Sequence, residues 1–413
     1  MAQKDKPVET EQQFMFATGI ENSYPVISGK NGRDIRRDEL QSTRFYEHWR
    51  EDFALLREVG VKYLRYGPQY YRVSTGPDRY DWAFTDETFN ALNERGVTPI
   101  ADLCHFGVPD WIGTFQNPDW PELYAVYARE FARRFPWVAL FTPINEIFVN
   151  ATFSARNGWW NERLKSDRAF VTALKHMCRA NLRAEEEILT VQPNAVFIQS
   201  EATAFYHERS PEARPRARLE NEKRFLSFDL SYGHPVNSEC FEYLMDNGLT
   251  REEYHWFMDH GVAMRPHCIM GSDYYGRNEH WVPPEGPLKG AGVVFGYALL
   301  AKQYFDRYHL PVMLTETNKM EPEKGPEWLY ELWACVRELR RTGIPVMGFT
   351  WYSLIDQVDW DTTLREVKDH EDPVGLYDLD RRPHPVRDAY RQLVSDWGRE
   401  MPMGVHYGGH GFA

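Results

Sequence analysis

A chain of 413 residues that is 42% apolar and 26% charged holds enough apolar side chains for one large core or two ordinary ones. Its net charge of -13 argues against a nucleic-acid partner, which calls for a basic face, and no apolar run reaches the length of a membrane span. Five scattered cysteines (Cys104, Cys178, Cys240, Cys268, Cys335) show no CxxC spacing and fit reduced thiols in a cytoplasm better than disulfides or a zinc site. The segment up to about Gln13 is polar and lacks the apolar stretch of a secretory signal. A disordered lead-in over residues 1–13 and a cytoplasmic location are therefore expected.

Taken in order, Phe14–Ile20 reads as a first strand ending at Glu21 and Asn22. Ser28–Glu39, rich in glycine and charge, predicts a long surface loop. Apolar residues recur at helical spacing over Phe45–Val59 and stop at Gly60, a helix terminator. VKYLRYG follows as a second strand carrying Arg65. Thr85 is placed to cap a helix running to Arg95, before a third strand, Val97–Leu103, that delivers Cys104 and His105. A helix over about Pro121–Arg134 leads to the apolar run Val138–Phe141, followed at once by Thr142, Pro143, Asn145 and Glu146. A short apolar run cut by a turn signal reads as a fully buried parallel strand.

Arg168–Val191 predicts a long helix and Ala195–Gln199 a fifth strand. Tyr206–Lys223, dense in arginine, glutamate and proline, predicts an irregular insertion or lid. Thr250 with Glu253 three residues on is a capping-box pattern opening a helix to about His260. Cys268–Gly271 is a sixth strand, ending in Ser272, Asp273, Tyr274 and Tyr275, and Glu279–Gly292 reads as a loop. A helix through Tyr304 leads to PVMLTETN, a seventh strand delivering Glu316. Trp328–Arg341 is a helix closed by Gly343, PVMGFTWYS an eighth strand, and Val386–Trp397 a last helix. The tail 401–413 is rich in glycine and histidine; His406 and His410 are spaced like metal ligands, but such a tail is more simply frayed. Eight strand-then-helix units predict an α/β fold, a single (β/α)8 TIM barrel over residues 14–400 with loop insertions. A doubly wound sheet would announce itself with a GxGxxG or GxxxxGK[ST] turn, and neither is present.

In such a barrel the polar residues at the strand ends converge on one mouth. They are Asn22, Arg65, His105, Asn145 with Glu146, Asp273 with Tyr275, Glu316, and Asp359 with Trp360. Cleavage of a glycosidic bond needs two carboxyls, one to protonate the leaving oxygen and one ionised. Glu146 and Glu316, on strands four and seven, supply such a pair. Their separation, which sequence does not give, decides between retention and inversion.

Motifs along most of the chain carry a resemblance. HFGVPDW (His105–Trp111), TPINEIFV around Glu146, LTETN around Glu316 and GFTWYSLIDQVDW (Gly348–Trp360) stand in order on the expected strands, followed by GLYDLD and PHPVRDAY. Together they are similar to glycoside hydrolase family 1, the β-glucosidase and β-galactosidase family of clan A. The resemblance implies Glu146 as acid/base, Glu316 as nucleophile and Asn145 as a contact to the sugar 2-hydroxyl. It also implies Arg65 and Tyr275 as groups that keep the nucleophile ionised, and His105, Asp359 and Trp360 as glycone contacts. This chain departs from the family at Asp359, where a glutamate is usual, at Tyr352 in place of a tryptophan floor, at Asp273 for an asparagine, and at Asn22, which would replace a glutamine beside Glu21. The expected activity is an exo-acting, retaining β-glycosidase on a small carbohydrate or glycoside, with no cofactor and no metal. Other clan-A hydrolases, a transglycosylase and a non-hydrolytic sugar-binding barrel are the alternatives, with a metal-dependent barrel using His105, Asp273 and Glu316 a weaker one. Oligomeric state is left open.

Overall fold

The computed structural model describes residues 14–398; the expected lead-in, and the tail with His406 and His410, lie outside the described residues. Eight parallel strands close into a barrel: β1 (Met15–Gly19), β2 (Tyr63–Tyr66), β3 (Thr98–Asp102), β4 (Leu140–Thr142), β5 (Val196–Gln199), β6 (Cys268–Asp273), β7 (Val312–Glu316) and β8 (Val346–Trp351). Each pairs with its neighbours in sequence, and β1 closes the ring against β8, with Thr18 opposite Trp351. The strands are short and apolar because both their faces are covered. Their inward side chains, among them Met15, Ala17, Ile100, Ile198, Ile269 and Met313, make a small cluster inside the barrel. A larger core lies between the strands and the surrounding helices.

The principal helices are α1 (Phe45–Val59), α2 (Ala83–Glu94), α3 (Trp120–Arg134), α4 (Ile147–Ala151), α5 (Asp167–Leu189), α6 (Arg214–Lys223), α7 (Arg251–Met264), α8 (Gly296–Tyr308), α9 (Gly325–Arg341) and α10 (Pro385–Trp397). α1 shows why they form. Phe45, Trp49, Phe53 and Leu56 recur every three or four residues and are buried, each worth roughly 1.5–3 kcal/mol against exposure. Gly60 then ends the helix at φ +84°, a conformation that costs glycine nothing. Thr250 and Glu253 form the full capping box at the start of α7.

Four local expectations fail. Thr85 does not cap α2, which begins two residues earlier at Ala83 after an uncapped Trp82. Ser28–Glu39 contains half of an antiparallel hairpin, Val26–Ser28 with Asp34–Arg36, and its last residues Arg37, Asp38 and Glu39 are buried. Tyr206–Lys223 is ordered: a strand, Phe205–Glu208, is followed by α6, with Pro215 in its first turn. Helix α6 presents little apolar periodicity, so the pattern that reveals amphipathic helices has nothing to register. Likewise Glu279–Gly292 is not simply a loop, since Glu279–Val282 pairs with Phe205–Glu208 and with Lys289–Gly290 in a small sheet. Glu279 holds that sheet to the barrel, accepting from His207 (2.7 Å), Tyr274 (3.0 Å) and the N–H groups of Val294, Phe295 and Gly296 at the start of α8.

Candidate active site

Glu146 follows β4 in a left-handed conformation, φ +40°. A non-glycine residue held there stores strain, a feature that gathers at functional sites. Its N–H donates to the Ser200 carbonyl beyond β5 (3.0 Å), and its own carbonyl accepts the Asn150 N–H (2.8 Å). The first turn of α4 takes its acid from elsewhere: Glu201 accepts the Phe148 N–H at 2.8 Å. The Glu146 carboxyl is thus left facing the cavity, with no side-chain cation among the described residues bonded to it.

Glu316 ends β7 in the opposite environment. Arg65, at 1% exposure, donates Nη1 to one carboxylate oxygen, and the Tyr275 hydroxyl donates to the other at 2.7 Å. Arg65 is itself shared, with Nη2 on Asn145 Oδ1 and 3.0 Å from Asp102. Because only the oxygen of Asn145 can accept from a guanidinium, its amide N–H must point the other way, at His105 Nε2 (2.9 Å). His105 then carries its proton on Nδ1, against Asp102 at 2.6 Å. Four strand ends, β2, β3, β4 and β7, are tied through one arginine. Close packing here leaves no space: a Cβ on Gly67, just past β2, would stand 1.4 Å from the Asp102 carbonyl oxygen.

Protonation follows from these surroundings. Burial holds the Glu146 carboxyl well above the ordinary carboxylate range, reinforced by the negative charges of Asp273, Glu316 and Glu201 and only partly offset by Arg65. Asp273 is likewise raised, by burial and then by Glu316, although Ser200 Oγ (2.7 Å) and Thr315 Oγ1 (2.6 Å) lie against it. Burial lifts Glu201 to about 7. Asp102 goes the other way: Arg65 and then His105 outweigh its burial and hold it low.

A cavity of about 800 Å³ opens at this mouth. Of the residues expected from sequence, His105, Glu146, Tyr275, Glu316 and Trp360 line it. Arg65 and Asn145 sit directly behind that wall, as does Tyr352, whose ring lies parallel to His105 at 6.5 Å and 5.6 Å from the Arg65 guanidinium. Two expectations need correction. Asp359 does not face the cavity; its carboxylate is filled by Arg37 (2.9 Å) and by the N–H groups of Lys368, Asp369 and His370. With one methylene fewer than glutamate, it folds back to organise the loop after β8. Asn22 is buried and is not among the residues that line the cavity, and its neighbour Glu21 takes the wall with Gln357. Glu21 is buried, bonded by the Ser23 N–H (2.9 Å) and Gln357 (3.4 Å), and lies 3.9 Å from His105. Both residues lie beyond the end of β1 at Gly19, where the direction of a side chain is set by the turn of the chain and not by strand alternation. Glu201 was missed because it lies outside every motif. Among the described residues, the acids and histidines close enough to share an ion are Asp361, His370 and Asp372, not the His105, Asp273 and Glu316 set.

Known proteins agree with this layout. The chain is 23% identical over 379 residues to the 6-phospho-beta-glucosidase AscB of Escherichia coli, covering 79% of each. It is 21% identical to Beta-glucosidase A of Thermotoga maritima, over 76% of this chain and 78% of that one. A solved family 1 β-glucosidase from Thermotoga maritima superposes with a TM-score of 0.77 at 17% identity, covering 94% of this chain and 99% of the other. Residues 21–252, more than half of the sequence, match the profile of glycosyl hydrolase family 1. The eight-stranded barrel and the sequence match concur: the chain belongs to glycosyl hydrolase family 1.

Proposed function

We propose that the protein is an exo-acting, retaining β-glycosidase of the β-glucosidase type whose glycone carries no phosphate. The observation that carries the reading is the opposite setting of two carboxyls on one cavity. Glu316 receives a guanidinium on one oxygen and a phenol on the other, donors that fix the direction of a carboxylate nucleophile. Glu146 is buried among acids and keeps its proton, as a general acid must. In the first step Glu316 bonds to the anomeric carbon while the bond to the leaving oxygen breaks and Glu146 gives that oxygen its proton. In the second, Glu146 takes a proton from water, whose oxygen displaces Glu316 from the sugar. Family membership supports retention.

The uncharged glycone follows from the wall at the β1 and β8 side, where Glu21, Gln357, Trp360 and Thr363 meet. Of the cations nearby, Arg37 is spent on Asp359 (2.9 Å) and Lys368 on Glu366 (3.1 Å), while the exposed Arg365 lies over the Trp159 ring (4.6 Å) with its Nε on the Thr362 carbonyl (2.7 Å). A phosphate placed there would have to face the buried carboxyl of Glu21, which an uncharged glycone would not. A cytoplasmic location belongs to the same proposal and is supported by five unpaired thiols. The test is a panel of aryl β-glycosides, including glucoside, galactoside, fucoside and 6-phosphoglucoside, with Glu316→Ala assayed with and without azide. Turnover of an unphosphorylated glycoside, lost in the variant and restored as an α-glycosyl azide, is the expected result. Silence across the panel, or turnover of the 6-phosphoglucoside alone, would overturn the reading.

A further inference from the structure

We propose that the outer part of the cavity is a subsite for an anionic aglycone, a leaving group bearing a carboxylate or a phosphate; this rests on the hydrolase reading above. A chain with 61 acids against 48 lysines and arginines nevertheless brings four arginines, Arg156, Arg216, Arg224 and Arg277, to the wall of this one cavity. Arg156 is neutralised by Glu220 at 2.9 Å. The other three have no carboxylate within ion-pair distance among the described residues.

Their hydrogen bonds show what is spent and what is spare. Arg216, half-buried on α6, uses Nη1 on the carbonyls of Pro283 (3.1 Å) and Gly286 (2.9 Å). That leaves its Nε and Nη2 donors. Arg277 lies over the Tyr275 ring at 5.5 Å, on the next turn of chain from the donor to Glu316. Arg224, 5% exposed, is packed against Phe225 at 4.4 Å and Phe205 at 4.9 Å. It bonds the Asn221 carbonyl, the Ala204 carbonyl and Gln303 Oε1, all neutral acceptors. A guanidinium buried without a counter-ion is costly, and an anion in the adjoining cavity would supply the missing charge.

Position argues for the leaving group and against the sugar that is transferred. Arg156 stands ten residues after Glu146 along a helical path, roughly 15 Å at 1.5 Å per residue. Arg216 belongs to α6, beside the small sheet over β5 and β6, across the cavity from Glu21 and Gln357. Glu146, which protonates the leaving oxygen, stands between the two regions. The cavity is also lined by Glu21, Glu146 and Glu316 around the reacting centre and by Glu220, which is paired with Arg156. The three arginines left over give the outer wall an excess of positive charge, which raises the local concentration of an anionic ligand. Guanidinium groups also offer paired N–H donors that match carboxylate and phosphate oxygens. His280, stacked on Tyr206 at 5.3 Å, is held neutral by its burial and adds no charge of its own.

The experiment compares a 4-methylumbelliferyl β-glycoside with its 3-carboxyumbelliferyl counterpart. It also compares a β-linked disaccharide with the same disaccharide phosphorylated on the reducing-end sugar. Wild-type kcat/KM is expected to favour one or both anionic substrates by about tenfold at low ionic strength, with the preference shrinking as salt screens the charges. In the double variant Arg216→Gln, Arg277→Gln the ratio should fall toward one. The pair that shows the preference in wild type and loses it in the double variant identifies the anion. A wild-type ratio of one or less in both pairs, or a ratio untouched in the double variant, would overturn the proposal; a merely structural defect lowers both members of a pair and leaves the ratio alone. Should no glycoside be hydrolysed, the hydrolase reading fails by itself. Calorimetry with free 3-carboxyumbelliferone then decides the subsite: binding that weakens in the double variant supports it, and no binding overturns it.

Discussion

Replacing Glu201 by glutamine should remove a pH dependence of stability and shift the activity profile together. Burial raises this carboxyl from 4.5 to about 7, whereas in the unfolded chain it ionises near the ordinary value. Between those limits the native state holds one more proton than the unfolded state. Stability therefore falls as pH rises, by about 1.4 kcal/mol per pH unit. Over the whole window the residue takes away about 3.4 kcal/mol, fully lost once the pH exceeds 7. Glutamine cannot ionise, and its amide oxygen can still accept the Phe148 N–H, so any change in hydrogen bonding is an offset independent of pH. Denaturant unfolding of both proteins between pH 5 and pH 7 should show the variant gaining about 2.2 kcal/mol relative to wild type, less than the full slope over two units because the native carboxyl is half ionised at pH 7. Glu146 also loses a negative neighbour that favours its protonated form, so the basic limb of kcat/KM should move to lower pH. A stability difference constant to within about 0.5 kcal/mol across that range would refute the buried-carboxyl argument. An unmoved basic limb would refute the link to Glu146.

Three further outcomes are expected. Glu146→Gln, assayed with a 2,4-dinitrophenyl glycoside whose leaving group needs no proton, should lose the basic limb. In wild type that limb lies above the ordinary carboxyl range, because Glu146 is raised and acid function disappears only as pH climbs through its value; a limb that persists in the variant belongs to another group. Asp359→Asn should cost about 3 kcal/mol in unfolding experiments, since one amide oxygen cannot serve Arg37 and three N–H groups; a KM effect at unchanged stability would return Asp359 to the sugar. Thr250→Ala should cost about 1 kcal/mol through the lost cap of α7 and leave kcat/KM as it was, read by urea melts and initial rates.

The barrel was legible because burial on both faces leaves a strand little choice of composition. Runs such as PVMLTETN and PVMGFTWYS can only be inner strands, and glycines mark where helices such as α1 stop. The two candidate carboxyls, Glu146 and Glu316, stood out for a related reason, since a polar group at the end of an apolar run has few structural uses. What escaped depends on direction. That Glu21 lines the cavity and Asn22 does not turns on how the chain leaves β1 after Gly19, a stretch without strand periodicity to read. Asp359 was misjudged because its partners, Arg37 and the N–H groups after Glu366, are distant or carried by backbone, which sequence does not display. Helix α6 escaped because charge covers it on all sides.

The difference between the two glutamates is a consequence of strand order. β2 pairs with β3 so that Arg65 lies opposite Ile100, which sets Asp102 two residues further on and within reach of the guanidinium. Asp102 draws on the same cation as Glu316, yet it also anchors Arg65 and His105, and so fixes the direction from which Glu316 is approached. The β4–β5–β6 side is built otherwise, with Glu201 and Asp273 buried beside Glu146 and only hydroxyls and backbone N–H groups to meet them. A buried acid with such company holds its proton, while Glu316 is met at both oxygens by the donors of Arg65 and Tyr275. Arg65 reaches the β4 end as well, but spends Nη2 there on Asn145 Oδ1 and turns Nη1 to Glu316. The contrast behind the proposed roles of donor and nucleophile is thus set by which strands are neighbours.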